Sequence, residues 1–342
     1  MNNKNKLFSI EKTNNRTIFR ILFLKLTFDK KISNNRLYLR LDTILSQLKS
    51  LSEKQSTILD NEKEFFKMYK QPETKPALPF LSVHLVDQCN NNCQGCSHFC
   101  TIANKFELTI EDYTRQLNTL VNKFHIHEID LMGGEPLLHP NIEMFFEETR
   151  KILPHSVICL HTNGLLLHKM PESFWESCKK NHIDFKITRY PNVKDFTEII
   201  DLCLKHGIYI CGLINGTSFI HWMDRKGNGN IPENFKACKT KFGFCYILKD
   251  YRLYTCPTAC YMPLYNDYFN ENIPCENGID IITASSSEIL NYLQTPLETC
   301  KFCRNVHKLT AKPWQRTQRV ISDWDDEAYS SLEKNTNNAN NE

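Results

Sequence analysis

No uninterrupted apolar run in this chain is long enough to span a bilayer. The N-terminal apolar stretch, Ile18–Phe28, is broken by Arg20 and Lys25 and is followed by no small-residue cleavage site. The expectation is a protein with neither a membrane span nor an export signal, working in the cytoplasm. Charge of one sign is also scarce, with 42 Lys and Arg against 39 Asp and Glu, a net charge of +3. Even that excess is local, because residues 1–79 hold 16 basic against 8 acidic side chains and the remaining 263 therefore sum to about −5. No basic stripe with interleaved aromatics appears, so nucleic acid is not an expected partner.

What the chain has in excess is cysteine. Fifteen in 342 residues, an odd number without a visible export signal, point to thiolate ligands rather than a disulfide framework. The length and a 41% hydrophobic content suffice for a full core, so one large catalytic domain with appendages is expected.

Leu37, Leu41, Ile44, Leu48, Leu51 and Ile58 recur at spacings of three and four, which predicts an amphipathic helix inside a basic N-terminal extension, residues 1–79. The three prolines between Gln71 and Pro79 read as a linker. From Phe80 short apolar runs alternate with helical segments, the pattern of βα units. Strands are predicted at Phe80–Val86, Ile129–Met132, Val157–His161, Ile183–Thr188 and Ile208–Ile214. Helices fall between them, around Thr109–Phe124, Asn141–Ile152, Ser173–Lys180 and Lys194–His206. This predicts an α/β fold, a partial (βα) barrel over residues 80–229, with reactive groups just after the strands. A small cysteine-rich domain is expected over 230–322 and a disordered tail over 323–342.

Directly after the first strand stands Cys89-Asn-Asn-Asn-Cys93-Gln-Gly-Cys96. Three thiolates on one loop leave one iron of a four-iron cluster open to another ligand. The residues alone leave two other readings open: Cys100 completing a four-cysteine electron-transfer cluster, or a structural zinc site. The second strand ends in Gly133-Gly134-Glu135-Pro136, and the third and fourth in His161-Thr-Asn163-Gly and Thr188-Arg189-Tyr190-Pro.

The C-x3-C-x2-C loop, followed one βα unit later by Gly-Gly-Glu-Pro, resembles the radical S-adenosylmethionine (SAM) superfamily, of TIM-type barrel fold. The resemblance implies a 4Fe–4S cluster on Cys89, Cys93 and Cys96. It implies a SAM site at Gly133, Gly134, Glu135 and Pro136, with Asn163 near the ribose and Arg189 pairing with the carboxylate. For Asn163 a turn role before Gly164 is equally open. Where the superfamily usually places an aromatic residue before the last cluster cysteine, this chain has Gly95, and Phe99 or His98 is a substitute for the adenine contact. A second resemblance, to the SPASM/twitch extension of these enzymes, rests on Cys238, Tyr251 in the usual glycine slot, Cys256 and Cys300-Lys-Phe-Cys303. It implies a second 4Fe–4S cluster on Cys238, Cys256, Cys300 and Cys303, with Cys245 as an alternative to Cys238 and a four-thiolate zinc as the alternative occupant.

The implied activity is reductive cleavage of SAM to a 5′-deoxyadenosyl radical that takes hydrogen from a substrate, with electrons from a flavodoxin or ferredoxin. A sugar or amino sugar of surface polysaccharide synthesis, free or carrier-linked, ranks first as substrate. Residues Leu7–Lys31 are similar to leader segments of proteins in that process, an association only. The outcome would be oxidation, or epimerisation with Cys211 returning hydrogen; for Cys211 a buried small hydrophobe is the plainer reading. Lys312, Trp314 and Arg316 are candidates for contact with an anionic or stacked substrate, or a basic tail with a packed Trp. The alternatives are a peptide-modifying maturase and, in another class, a non-enzymatic iron–sulfur or zinc module. Oligomeric state is not legible.

Overall fold

The structure, a computed structural model, describes residues 75–193, 195–238, 246–304 and 311–325, and the strands within residues 8–29. The chain divides into two compact units, Met1–Thr74 and Lys75–Glu342. In the first, β1 (Phe8–Lys12), β2 (Arg16–Ile21) and β3 (Leu24–Asp29) form an antiparallel sheet in that order. The described part of this extension is therefore β rather than helical. The helix predicted over residues 37–58 lies outside the described residues.

The second unit is built on one eight-stranded sheet. Its parallel core is β4 (Ala77–Val86), β5 (His125–Gly133), β6 (Val157–Thr162), β7 (Ile183–Arg189) and β8 (Ile210–Asn215), hydrogen-bonded in sequence order. The intervening helices are α1 (Ile110–Val121), α2 (Ile142–Ile152), α3 (Glu172–Lys180) and α4 (Phe196–Lys205). Thr109 caps α1 by accepting from the Asp112 N–H at 3.1 Å. The sheet is open, with β8 at one edge, and so is a partial barrel.

Strand alternation sorts the two faces. Leu81, Val83, Leu85, Ile129, Leu131, Ile158, Leu160, Phe185 and Ile187 are buried in the main core, each aliphatic side chain contributing on the order of 1.5–3 kcal/mol. The other face is polar: Ser82 and His84 on β4, Glu128 and Asp130 on β5, Cys159 and His161 on β6, Lys186 and Thr188 on β7. There the Lys186 ammonium pairs with Glu128 and, at 2.9 Å, with Asp130. A polar inner face is affordable only where such groups meet each other or a ligand.

The sequence shows no sixth barrel strand before Cys238, and the structure finds one after it. It is β10 (Ile247–Lys249), parallel to β4 on the edge opposite β8, followed by β11 (Arg252–Tyr254) and β12 (Ile279–Asp280). The β10–β11 turn places Asp250 and Tyr251 at φ +50° and +57°, the two-residue hairpin geometry that matches strand twist. Tyr251 takes its glycine-like conformation with its N–H held by Gln116 Oε1 at 3.0 Å. The cysteine-rich segment thus shares the barrel's sheet. It adds β9 (Ser218–Phe219), α5 (Ile231–Ala237), α6 (Pro257–Phe269), α7 (Ser286–Gln294) and β13 (Lys312–Pro313), which pairs with β9. Residues 323–325, assigned to a disordered tail, are packed: Trp324 is fully buried among Phe99, Tyr265 and Phe269. Among the described residues no helix is long and apolar enough to cross a membrane.

Candidate active site

A cavity of about 280 Å³ opens where β4–β8 end, towards the lower end of small-molecule sites. Cys89, Cys93 and Cys96 line it together with Gly133, Gly134, His161, Thr162, Asn163, Thr188 and Tyr190. The loop that carries the thiols is organised by Asn91, 2% exposed. Its backbone N–H donates to Cys89 Sγ (3.5 Å) and its side-chain amide to Cys93 Sγ (3.2 Å), while Asn192 donates to its carbonyl oxygen (2.7 Å). Burial raises the Cys93 thiol to about 11 and pushes Cys89 higher still. Cys96 moves the other way, to about 7, because the Cys100 thiol and the N–H groups of His98 and Phe99 stabilise its thiolate.

Gly133 and Gly134 are explained by close approach. A Cβ on Gly133 would sit 2.3 Å from the Val86 carbonyl oxygen, and one on Gly134 2.1 Å from that of Gln88. The end of β5 is welded to the base of the cysteine loop by Gly134 N–H to Val86 O (2.9 Å) and Glu135 N–H to Gln88 O (3.0 Å). Glu135 itself is fully buried and its side chain faces β6. It accepts from Thr162 Oγ1 (2.6 Å), Asn163 N–H (2.9 Å) and Leu137 N–H (3.2 Å). Burial raises its carboxyl to about 7, with those donors pulling it back. Pro136 begins the short 3-10 turn that follows. Asn163 has the turn role, its Oδ1 accepting from Leu165 N–H (3.0 Å), and its amide donates to Asn90 (2.7 Å) and lies 3.9 Å from Cys89 Sγ on the cavity wall.

Two expectations are corrected. Arg189 does not reach the cavity: on β7 alternate residues face inward, so Thr188 and Tyr190 line the wall while Arg189 is exposed over the Phe196 ring, 5.9 Å away. Cys211 lies early on β8, off the wall, with its sulfur 3.5 Å from Cys159 Sγ and donating to the Phe185 carbonyl at 3.4 Å. Of the two substitutes for the adenine contact, Phe99 is fully buried against Tyr265 and Trp324, and His98 lines the cavity. His98 Nδ1 is 2.7 Å from His84 Nε2, and His84 reaches Asp87 at 3.0 Å. Burial lowers both imidazoles and keeps them neutral. Gly95, at φ +67°, abuts the Asp323 carbonyl oxygen, 3.2 Å from where a Cβ would be, so a later segment fills the space of the usual aromatic. Tyr190 is a wall residue to which the sequence reading assigns no role, and alternation along β7 is the signal that points to it.

The second cysteine group also comes together. Cys238 ends α5, Cys256 caps α6, Cys300 lies within the turn Glu298–Phe302 and Cys303 ends it. Burial, then the proximity of Cys256, Cys300 and Cys238, raises the Cys303 thiol well above its ordinary value. Cys256 accepts the Ala259 N–H at 3.4 Å, a helix N-terminus that favours a thiolate. Asn234 holds the Cys300–Cys303 turn by donating to both carbonyls, at 3.0 Å for Cys300. Cys275 is exposed and bonded to Asn266 instead. Cys245 lies outside the described residues.

The segment that carries the candidates Lys312, Trp314 and Arg316 runs over the cysteine loop. Gln94 N–H donates to Gln315 O, Thr317 N–H to Asn92 O (both 2.9 Å), and Trp324 Nε1 to Cys96 O (2.9 Å). Asp323 ties this strap to the loop by accepting from Gln94 Nε2 at 2.9 Å. Buried Asp325 pairs with Arg304 at 2.6 Å, next to Cys303. Trp314, offered as a substrate contact, has its indole nitrogen buried without a nitrogen or oxygen partner.

The donor set fits an iron–sulfur cluster: three thiols on one wall, two of them accepting amide N–H bonds, beside a glycine shelf with room for a ligand. Fold and site thus define a partial-barrel protein with a three-thiolate centre at the carboxyl ends of its strands. The family model of the Radical SAM superfamily matches residues 83–226 of the chain. That superfamily is one of enzymes using a 4Fe–4S cluster and SAM. Among curated proteins, the GTP 3′,8-cyclase of Clostridium perfringens strain SM101 is 27% identical over 146 residues, 39% of this chain and 45% of the cyclase. The GTP 3′,8-cyclase of Streptomyces coelicolor is 32% identical over 92 residues, 26% of this chain and 27% of the cyclase. The chain spans less than half the length of these relatives. Among solved structures, BtrN in complex with AdoMet and 2-DOIA aligns at a TM-score of 0.45 with 20% identity, covering 68% of this chain and 95% of that one. Native anSMEcpe with bound AdoMet and a peptide aligns at 0.32 with 18% identity, covering 41% of this chain and 43% of that one.

Proposed function

We propose that this protein is a radical SAM enzyme that oxidises a sugar or amino sugar, free or carrier-linked, using a second 4Fe–4S cluster at Cys238, Cys256, Cys300 and Cys303. The observation that carries the reading is the convergence of Cys89, Cys93 and Cys96 with Gly133 and Gly134 on one cavity. The bound cluster and SAM supply the means of taking hydrogen from an unactivated C–H bond. This chain's residues do the rest. Asn91 orients two of the thiols, and Gly133 and Gly134 bring bare backbone to the ligand. Met132 and Phe219 contribute apolar wall that keeps water from a reactive centre.

The substrate class is supported by the rest of the wall. His161, Thr162, Asn163, Thr188, Asn215 and Ser218 offer hydroxyl, amide and imidazole groups suited to a polyol, and Phe219 an apolar ring face. The described wall residues include no Lys or Arg, so a triphosphate such as the one in the cyclases' name would meet no counter-charge there. Cys211 stands off the wall, which favours oxidation over epimerisation. The electron donor is a flavodoxin or ferredoxin, and the place of action the cytoplasm.

The test is iron and sulfide content after anaerobic reconstitution, beside a variant with Cys89, Cys93 and Cys96 all replaced by Ala. About eight irons falling to about four is expected, with 5′-deoxyadenosine formed from SAM by the wild type alone. About four irons plus zinc would remove the second electron acceptor and restore redox-neutral chemistry. A protein with no iron would be the non-enzymatic zinc module. Turnover on peptides in preference to sugars would mark a maturase.

A further inference from the structure

The polar face of the sheet carries a second group of ligand-type side chains away from both cysteine sets: Glu128 on β5, Cys159 on β6 and Cys211 on β8. Strands β6 and β8 are not neighbours, since β7 runs between them. Even so, the Cys159 and Cys211 sulfurs lie 3.5 Å apart. A register shift brings this about: Phe185 pairs with Ile210 and Lys186 with Gly212, so Cys211 is the extra residue of a bulge that re-aims its side chain. The Cys211 S–H donates to the Phe185 carbonyl at 3.4 Å and the Cys159 S–H to Glu128 Oε1 at 3.6 Å. With both hydrogens aimed at oxygen, the two sulfurs face each other with lone pairs alone.

These separations match the edges of a metal-ion tetrahedron. Bonds of about 2.3 Å to sulfur and about 2.1 Å to oxygen set edges of about 3.8 Å between two sulfurs and about 3.6 Å between sulfur and oxygen. Asp130 stands close by, its ligand atom and those of Glu128 and Cys159 lying within 4.8 Å of one another. The carboxylates already hold a cation there, the Lys186 ammonium, which pairs with Glu128 and, at 2.9 Å, with Asp130. Cys159 is buried, whereas Cys211 is exposed on the edge strand and gives an ion a way in.

We propose that Cys159, Cys211 and Glu128 bind one divalent cation of the zinc type, with the Lys186 ammonium leaving Glu128 and keeping Asp130. Two thiolates and a carboxylate suit such an ion, where magnesium or calcium calls for oxygen ligands throughout. On binding, both thiols release their protons to solvent, two metal–sulfur bonds replace the two S–H bonds, and no electron is transferred. The ion ties the edge strand β8 to β6 across β7. Ile214, Asn215 and Gly216, a few residues further on, line the cavity, so the tie steadies that part of its wall. The site shares no residue with the two iron–sulfur sets and does not depend on them.

The test is zinc binding by the full chain, anaerobically reconstituted with iron and sulfide so that the other thiol sets are filled, with zinc alone as the probe against a competing chelator. The wild type is expected to take up about one zinc without losing iron, and its zinc X-ray absorption spectrum to show two sulfur neighbours. C211S, altered at an exposed position, is expected to weaken binding by more than the roughly 10–100-fold that loss of an outer-shell partner costs. K186M keeps the apolar stem over the Phe80 ring and removes the competing ammonium; it is expected to bind zinc roughly tenfold more tightly. No zinc in the wild type, equal zinc in C211S, or four sulfur neighbours overturns the proposal. So does uptake only at the expense of iron, or an affinity in K186M that is unchanged or weaker. Were the reconstituted chain to hold no iron, the cluster reading would fall by itself, and the difference of about one zinc between wild type and C211S would still decide this site.

Discussion

Glu135 shows how one side chain can be spent on architecture inside a binding motif. Its carboxyl, raised to about 7 by burial, has a folded-state value above the ordinary one near 4.5. The protonated form therefore favours the fold: the stabilisation is fully present below about pH 4.5 and is lost as pH rises through 7. Urea denaturation of the wild type from pH 4.5 to 8 should show stability falling with pH relative to Glu135→Gln, which lacks that slope. Gly134 makes a sharper case. Gly134→Ala would drive a Cβ into the Gln88 carbonyl oxygen, 2.1 Å away, and is expected to cost about 3 kcal/mol or more in denaturant titrations, with iron uptake lost alongside. The motif glycines were legible in the sequence; the Gln88 oxygen that requires them was not, because that proximity belongs to the fold.

At the scale of elements, the βα alternation and all five parallel strands were readable, since period-2 apolar runs between amphipathic helices leave few alternatives. Missed were β10, three residues long, and the strap, whose polar sequence Gln315–Ser322 carries no periodic signal. Both earn their place through long-range hydrogen bonds that local propensity does not encode. Strand parity, which the sequence does carry, puts Thr188 and Tyr190 on the wall and turns Arg189 outward. The strap's anchoring can be tested at its end. The Arg304–Asp325 pair is buried, with 3% and 2% of the side chains exposed, so Asp325→Ala removes a buried charge facing that guanidinium. A loss of about 3–5 kcal/mol is expected by urea unfolding, together with faster air bleaching of the cluster at Cys89, Cys93 and Cys96.

At the scale of the molecule, the two units Met1–Thr74 and Lys75–Glu342 divide the chain where the prolines predict a linker. A chain beginning at Lys75 is expected to bind the same amount of iron after reconstitution as the full chain, measured by metal analysis on both. The cysteine-rich segment, expected as a separate domain, extends the barrel's own sheet through β10.

The strap also sets an order of events during synthesis. Trp324, which holds the Cys96 carbonyl, lies 228 residues downstream of it. At about 5–20 residues per second, the thiol loop leaves the ribosome roughly ten to fifty seconds before its cover is made. In that interval the three cysteines lack the hydrogen bonds that Gln315, Thr317 and Trp324 later make to their loop.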